Sequence, residues 1–258
     1  MDLGLKGKRA LVLGASQGLG AASAAALAAE GVAVALLARN AARLDARKAE
    51  IEAKGGKADA MAIDLGDRAA MQRLFDDKSG YDILVLNAPP PPPVTAAAVD
   101  RKAWAAQFDS LFLNQAELAS HLGRGMAARK WGRIVSIAST SVQEPIPGLV
   151  YSNALRAGLQ GWLKTLADEL APSGVTVNTV APGSFATERT RGFDLREAER
   201  SGRKVEEIAA EGAAQIPAGR YGAATELGSL VAYLASVQAG FITGAFYRID
   251  GGATRASH

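Results

Sequence analysis

Cysteine is absent from the 258-residue chain, which excludes disulfides and thiolate chemistry. Histidine is scarce. His121 and His258 are the only two, and no clustered ligand spacing accompanies them, so no metal site is expected. An excess of one charge sign is missing as well: Lys+Arg 29 against Asp+Glu 26 leaves +3, spread through mixed-sign stretches. That distribution offers no basic block of the kind that binds nucleic acid. Long apolar runs are lacking too. The most hydrophobic window, Ala21 to Ala38, is interrupted by Ser23, Glu30 and Gly31, and the N-terminus carries no signal-peptide pattern. The expectation is a cytoplasmic protein without nucleic-acid or membrane partners.

The chain is 48% hydrophobic, enough at this length to bury one sizeable core, and no linker divides it. Its low-complexity runs, an Ala-rich stretch near residues 21–29 and five prolines from Pro89 to Pro93, are too short to separate domains. Residues 1–258 are therefore read as a single domain. Seven short aliphatic or β-branched runs (ALVLG, VAVALLA, ADAMAID, DILVLN, RIVSIAS, VTVNTVAP and AFYRIDGG) alternate with longer amphipathic stretches. Strands that are apolar almost throughout must be covered on both faces, which predicts a mostly parallel sheet in a doubly wound α/β fold. Between residues 99 and 130, Trp104, Phe108, Leu111, Leu118, Leu122 and Met126 recur at helical spacing and predict one helix face. A second long helix is predicted from Tyr151 to Leu170. Its small residues Ala154, Ala157, Gly158 and Gly161 suit close packing, either inside the molecule or between subunits. The charged, loosely patterned segment from about 184 to 216 is read as a flexible flap over a site.

GASQGLG follows the first run and opens a helix. Gly14, Gly18 and Gly20 leave bare backbone at this turn, so that a pyrophosphate can rest against Ser16, Gln17 and Leu19 and the positive end of the helix dipole. The second run ends in Ala38-Arg39, where an NAD-binding chain offers a carboxylate to the ribose 2′-hydroxyl. Ala38 cannot do so. Arg39 is placed to pair with a 2′-phosphate, which favours NADP(H) as the cofactor. Arg43 and Arg47, one and two turns further on, are read as a solvated helix face. GASQG also matches the G-x-S-x-G elbow of hydrolases. That chemistry needs an acid and then a histidine downstream of Ser16, and neither His121 nor His258 is a suitable base.

Taken in order, several pieces resemble the short-chain dehydrogenase/reductase family over essentially the whole chain. They are GASQGLG, Asp64 after the third run, LNA at 86–88, Asn114, GRIVSIAS ending at Ser139, Tyr151, APG at 181–183 with Thr187, and FITGAFYRIDGG. The resemblance implies a Rossmann fold and points towards reductases of 3-oxoacyl thioesters. It implies that Asp64 and Leu65 border the adenine, that Asn87 and Ala88 line the adenosine side, and that Pro182, Gly183 and Thr187 hold the nicotinamide carboxamide. It implies also that Tyr151, Ser139 and Asn114 are three members of a catalytic tetrad, with Thr140 or Ser141 able to replace Ser139 by a small shift. Plain structural roles stay open beside these: Ser139 as a turn cap, Asn114 as a cross-link of buried backbone. The implied activity is hydride transfer from NADPH to a small-molecule ketone or 3-oxoacyl-type carbonyl, in a homotetramer or homodimer. A catalytically impaired dinucleotide-binding sensor or scaffold is the alternative.

Two positions depart from the family pattern. Where the family has glycine after Asn87-Ala88, this chain has five prolines, extended and without N–H donors. The family's lysine, four residues after the tyrosine, is Leu155 here, and Arg156 follows one residue late. At about 100° per residue, four steps return roughly 40° from the start and five land roughly 140° away. Arg156 is thus expected on a different face from Tyr151, in a surface or interface salt bridge before any stand-in role for the lysine, and Leu155 in the core. A free tyrosine titrates near ~10, so without a cation to lower that value alcohol oxidation, which needs the tyrosinate, suffers more than carbonyl reduction.

Overall fold

Seven strands form one sheet in the computed structural model, which describes residues 1–76 and 80–256. His258 lies outside the described residues. The strands are β1 (Arg9–Leu13), β2 (Ala33–Ala38), β3 (Lys57–Ala62), β4 (Ile83–Leu86), β5 (Gly132–Ile137), β6 (Val175–Pro182) and β7 (Phe246–Ile249), one on each predicted run, with β1, β3 and β5 starting one residue earlier. Their order is β3-β2-β1-β4-β5-β6-β7, and every neighbouring pair is parallel. Winding reverses between β1 and β4. A crevice therefore opens at the carboxyl ends of these two strands, where doubly wound sheets bind ligands.

The helices are α1 (Gly18–Ala29), α2 (Ala41–Ala53), α3 (Arg68–Asp76), α4 (Arg101–Phe108), α5 (Asn114–Ala128), α6 (Val150–Leu170), α7 (Glu188–Ser201), α8 (Val205–Ala214) and α9 (Ala224–Ala235). Because side chains alternate along a strand, Leu11 and Leu13 of β1 face one helix layer while Ala10 and Val12 face the other. The first layer packs Met71, Leu74, Leu118, Leu122 and Leu159 from α3, α5 and α6. The second packs Leu27, Leu44 and Val231 from α1, α2 and α9. This is the doubly wound, single-domain arrangement expected. No helix among the described residues is long and apolar enough to cross a membrane.

Two local expectations need correction. The single helix face proposed for 99–130 is interrupted, because Asp109–Leu113 winds as a π-helical turn between α4 and α5. The extra residue per turn rotates the pattern, so Leu118, Leu122 and Met126 are buried while Phe108 is left exposed, stacked on Phe112. Gln115 occupies the loosened turn, donating from Nε2 to the carbonyls of Ser110 and Leu111. The segment read as a loosely patterned flap consists mainly of α7 and α8. Thr187 caps α7 by accepting from the Thr190 N–H, Gly202 ends it in the left-handed region, and Arg203 reaches to Glu207 and Glu211 of α8.

Arg133 is the fold's buried cation at the far end of β5. Its Nε donates to Ser236 O at 3.0 Å and its Nη1 to Gly132 O and Gly174 O, while the guanidinium lies 4.5 Å from the Trp131 ring centre. Burial lowers its pKa from the ordinary arginine value. Arg133→Ala would strand three carbonyls in the interior. Urea unfolding of that variant is expected to show a loss of about 2–3 kcal/mol with an unchanged m-value.

Candidate functional site

The crevice is a cleft of about 820 Å³, and its walls come from the ends of β1, β2, β4, β5 and β6. At the β1–α1 turn, Gly14, Ser16, Gln17, Gly18 and Leu19 line it. Gly18 has φ +58°, a conformation that favours glycine, and an added Cβ there would meet only Thr187 Cγ2 at 3.9 Å across the cleft. Gly20 does not line the cleft. It lies beneath the turn, where a Cβ would come within 2.3 Å of Gly14 O, so its role is to let α1 approach β1. No side chain caps α1, which leaves the first amides of that helix for an anion in the cleft.

Arg39 follows β2 and lines the cleft with Asp64, which lies 4.0 Å from it in a loose, exposed pair. Leu65, Asn87 and Ala88 complete this wall. Arg43 is exposed as expected of a solvated helix residue, but it also lines the cleft and pairs at 2.9 Å with Glu188 from α7, whereas Arg47 pairs with Glu50 on its own helix. Pro89 and Pro90 border the cleft next to Ala88, and the run ends where Val94 N donates to Gly148 O.

At the other end, the cleft is walled by α6. Tyr151 is 3% exposed and does not line the cleft; its ring packs edge-on against Trp104, centroids 4.8 Å apart. Leu155 and Leu159 continue this face into the core. Ser152 and Arg156 face the cleft instead. The arginine is 7% exposed, and its Nη1 and Nη2 donate to Ile137 O at 3.1 Å and Ala88 O at 3.4 Å. The next residue along this face, Gln160, accepts from the Thr179 hydroxyl of β6 at 2.7 Å.

Helical geometry was right that Tyr151 and Arg156 diverge, but the face that looks into the cleft is the one carrying Arg156. The placement of Tyr151 is corrected accordingly. A residue pair four apart does address the cleft, and it is Ser152 with Arg156, one step later than Tyr151 with Leu155. The readable signal was that shared spacing. Burial and, after it, the charge of nearby Arg189 lower the Arg156 pKa to about 10, so the group stays cationic at neutral pH.

Ser139 lines the cleft, and its Oγ accepts from Ser141 N at 3.1 Å, capping the short turn Thr140–Val142. Accepting uses a lone pair and leaves the O–H free to donate into the cleft. Ser141 is buried behind it with Oγ 3.4 Å from Ser152 Oγ. Asn114 does not reach the cleft. Its side-chain amide donates to Leu65 O, so it ties the start of α5 to a cleft wall, the cross-linking role left open for it. Pro182, Gly183 and Thr187 line the cleft after β6. Sequence reasoning missed Tyr221, a cleft-lining phenol whose pKa is raised by burial and by Asp194, to which it donates at 3.3 Å. Among the described residues, His121 is the only histidine, and it packs edge-on against Phe75 and does not line the cleft with Ser16; the hydrolase arrangement is absent there.

Restoring a lysine at the position that the tyrosine spacing designates should not restore a site. Leu155→Lys would put an ammonium among apolar side chains, and its unfolding free energy is expected to fall by about 3 kcal/mol or more. Chemical denaturation checks this; a variant as stable as the parent would contradict the placement of Leu155.

A family model described as enoyl-(acyl carrier protein) reductase matches residues 14–254. The 3-oxoacyl-[acyl-carrier-protein] reductase of Synechocystis sp. is 35% identical over 250 residues, covering 94% of this chain and 95% of that protein. Among solved structures, L-sorbose reductase from Gluconobacter frateurii, complexed with NADPH and L-sorbose, superposes with a TM-score of 0.94 at 27% identity, covering 99% of this chain and 100% of the other. A 3-oxoacyl (acyl-carrier-protein) reductase from Agrobacterium tumefaciens with NADP bound superposes at 0.88 and 30% identity, covering 97% and 96%. With the parallel sheet, the glycine turn at its switch point and matches of this extent, the chain belongs to the short-chain dehydrogenase/reductase family.

Proposed function

We propose that this protein is an NADP(H)-dependent oxidoreductase that reduces a ketone or 3-oxoacyl-type carbonyl, with Ser139, Ser152 and Arg156 around the carbonyl oxygen. The observation that carries the reading is the pairing, within one cleft, of the open Gly18 turn and Arg39 at one end with these two hydroxyls and a buried cation at the other. The residues fit the cofactor. Bare backbone at Gly18 and the uncapped start of α1 suit a diphosphate, Ala38 offers the ribose no carboxylate, and Arg39 is only loosely engaged by Asp64.

When bound, the reduced nicotinamide supplies the hydride. Ser139 donates its free O–H to the substrate carbonyl and holds it in place. Arg156 keeps a fixed positive charge near the oxygen as negative charge develops there, and it need not reorganise because two main-chain carbonyls already hold it. Ser152 passes a proton to the alkoxide and, because it lines the open cleft, regains one from solvent there; Ser141 Oγ, 3.4 Å away, helps to hold its hydroxyl. A serine hydroxyl is a weaker acid than a phenol, so in this site the charge of Arg156 takes over work that a tyrosine does elsewhere. Oxidation would need one of these hydroxyls as a base and is the slower direction.

Binding without turnover finds no support among the three relatives, each named a reductase. A cytoplasmic location belongs to the same reading, as does a homodimer or homotetramer. Phe108 and Leu113 are exposed beside the open α6 face of Ala154, Gly158 and Gly161, a surface suited to a second copy.

Fluorescence titration is expected to show that Arg39→Ala weakens NADPH binding about 10- to 100-fold and leaves NADH binding nearly unchanged. In a carbonyl-reduction assay, Ser139→Ala is expected to lower kcat about 100-fold, the scale of one lost oxyanion donor, while Tyr151→Phe retains activity. A Tyr151→Phe variant as impaired as Ser139→Ala would overturn the assignment of the cleft face.

A further inference from the structure

Proline is concentrated in two places: seven of the chain's ten stand in the run Pro89 to Pro93 and at Pro145 and Pro147. Both places border the cleft, through Pro89 and Pro90 on one side and Ile146 and Leu149 on the other. Main-chain bonds join them, since Val94 N donates to Gly148 O at 2.8 Å and Val150 N to Val94 O at 3.5 Å. Each also adjoins the reaction end. Pro89 follows Ala88, whose carbonyl accepts from Arg156, and Leu149 stands at the start of α6, three residues before Ser152. A proline nitrogen carries no hydrogen, so this wall has few main-chain donors to offer. The N–H between Pro145 and Pro147, that of Ile146, is directed at Asn153 Oδ1 at 3.4 Å, and the Asn153 amide donates to Ile146 O at 2.9 Å. The Leu149 N–H is taken up by Ile146 O as well. With its backbone so engaged, Ile146 still leaves its side chain 40% exposed. A carboxylate or a row of hydroxyls brought out of water against such a wall finds no donor, whereas hydrocarbon placed there gains by leaving water.

We propose that Ile146, Leu149, Pro89 and Pro90 form an apolar subsite for a hydrocarbon substituent of the carbonyl compound, with Asn153 as the positioning residue that holds Ile146 there. This rests on the NADP(H) reductase reading and narrows its substrate class. An alkyl or aryl ketone fits the wall; a polyhydroxylated or anionic group at this position does not. The occupant is the substrate itself, because the wall and the Ser152 hydroxyl share one cleft and lie about one helical turn apart along the chain. The diphosphate seat belongs to the turn after β1, whereas this wall follows β4 and leads into α6.

The test titrates 2-butanol, 2-hexanol and 2-octanol calorimetrically into protein saturated with NADPH, a mixture that cannot react, with erythritol as a four-carbon polyol. Affinity is expected to rise about threefold per added methylene, the scale of partial burial, and erythritol to give no saturable heat. Ile146→Ser should nearly abolish the dependence on chain length. Asn153→Ala should weaken that dependence while leaving the urea midpoint close to the parent's, and Leu195→Ser, which alters an exposed apolar residue outside the cleft lining, should not change it. NADPH affinity should stay within about twofold of the parent in all three variants. Affinity independent of chain length, erythritol bound as tightly as 2-hexanol, or a parental dependence in Ile146→Ser would overturn the subsite. So would a tenfold loss of NADPH affinity in Ile146→Ser, which would give the wall to the cofactor. A parental dependence in Asn153→Ala would overturn the positioning role of Asn153. If the parent itself fails to bind NADPH, the reductase reading fails instead, and the same alcohol series titrated into the protein alone judges the subsite separately.

Discussion

A guanidinium taken out of water is costly unless its donors are used, and in this protein Arg156 uses them on the carbonyls that close β4 and β5. Those two bonds lock the rotation of α6 about its axis. Ser152, one turn earlier on the same face, is thereby held at the cleft, and Tyr151 is turned into the core beside Trp104. The chemical character of the reaction end follows from this single helical phase.

The remainder of the site is built on the same economy of backbone. Strand ends of a parallel sheet deliver Gly14, Asn87 and Ser139 to one edge without long loops, and close approach at Gly20 lets α1 point its free amides into the crevice. Arg43 and Glu188 link α2 to α7 across the opening, so α7 belongs to the wall of the site. What distinguishes this cleft is its balance of groups: hydroxyls and a fixed cation stand at its α6 end, where a phenol without a neighbouring ammonium was expected. In the proposed mechanism the burden moves from proton donation to electrostatic stabilisation of the developing oxyanion.

The strands were legible because near-continuous apolar runs have little choice once both faces are covered. Ala10 and Val12 go to one layer and Leu11 and Leu13 to the other by alternation alone. The helix after β4 was less legible, since the π turn at Asp109–Leu113 changes the period without any glycine or proline to announce it. The tie of Arg43 to α7 was not legible for a similar reason: its partner Glu188 is 145 residues away, and no local pattern links them. Among the site residues, the glycine turn, Arg39 and Ser139 were readable because each sits at the end of a strand, where position follows from topology.

Sequence by itself determined the α/β alternation, the glycine turn, the lack of a carboxylate after β2, and the 100° step that separates Tyr151 from Ser152 and Leu155 from Arg156. Spacing is an intrinsic property of the helix, so it could be read without knowing the fold. Which of two adjacent faces looks into the cleft is not intrinsic. It depends on what α6 meets on each side, apolar Trp104 on one and the carbonyls of Ala88 and Ile137 on the other, and only the tertiary structure brings those partners together.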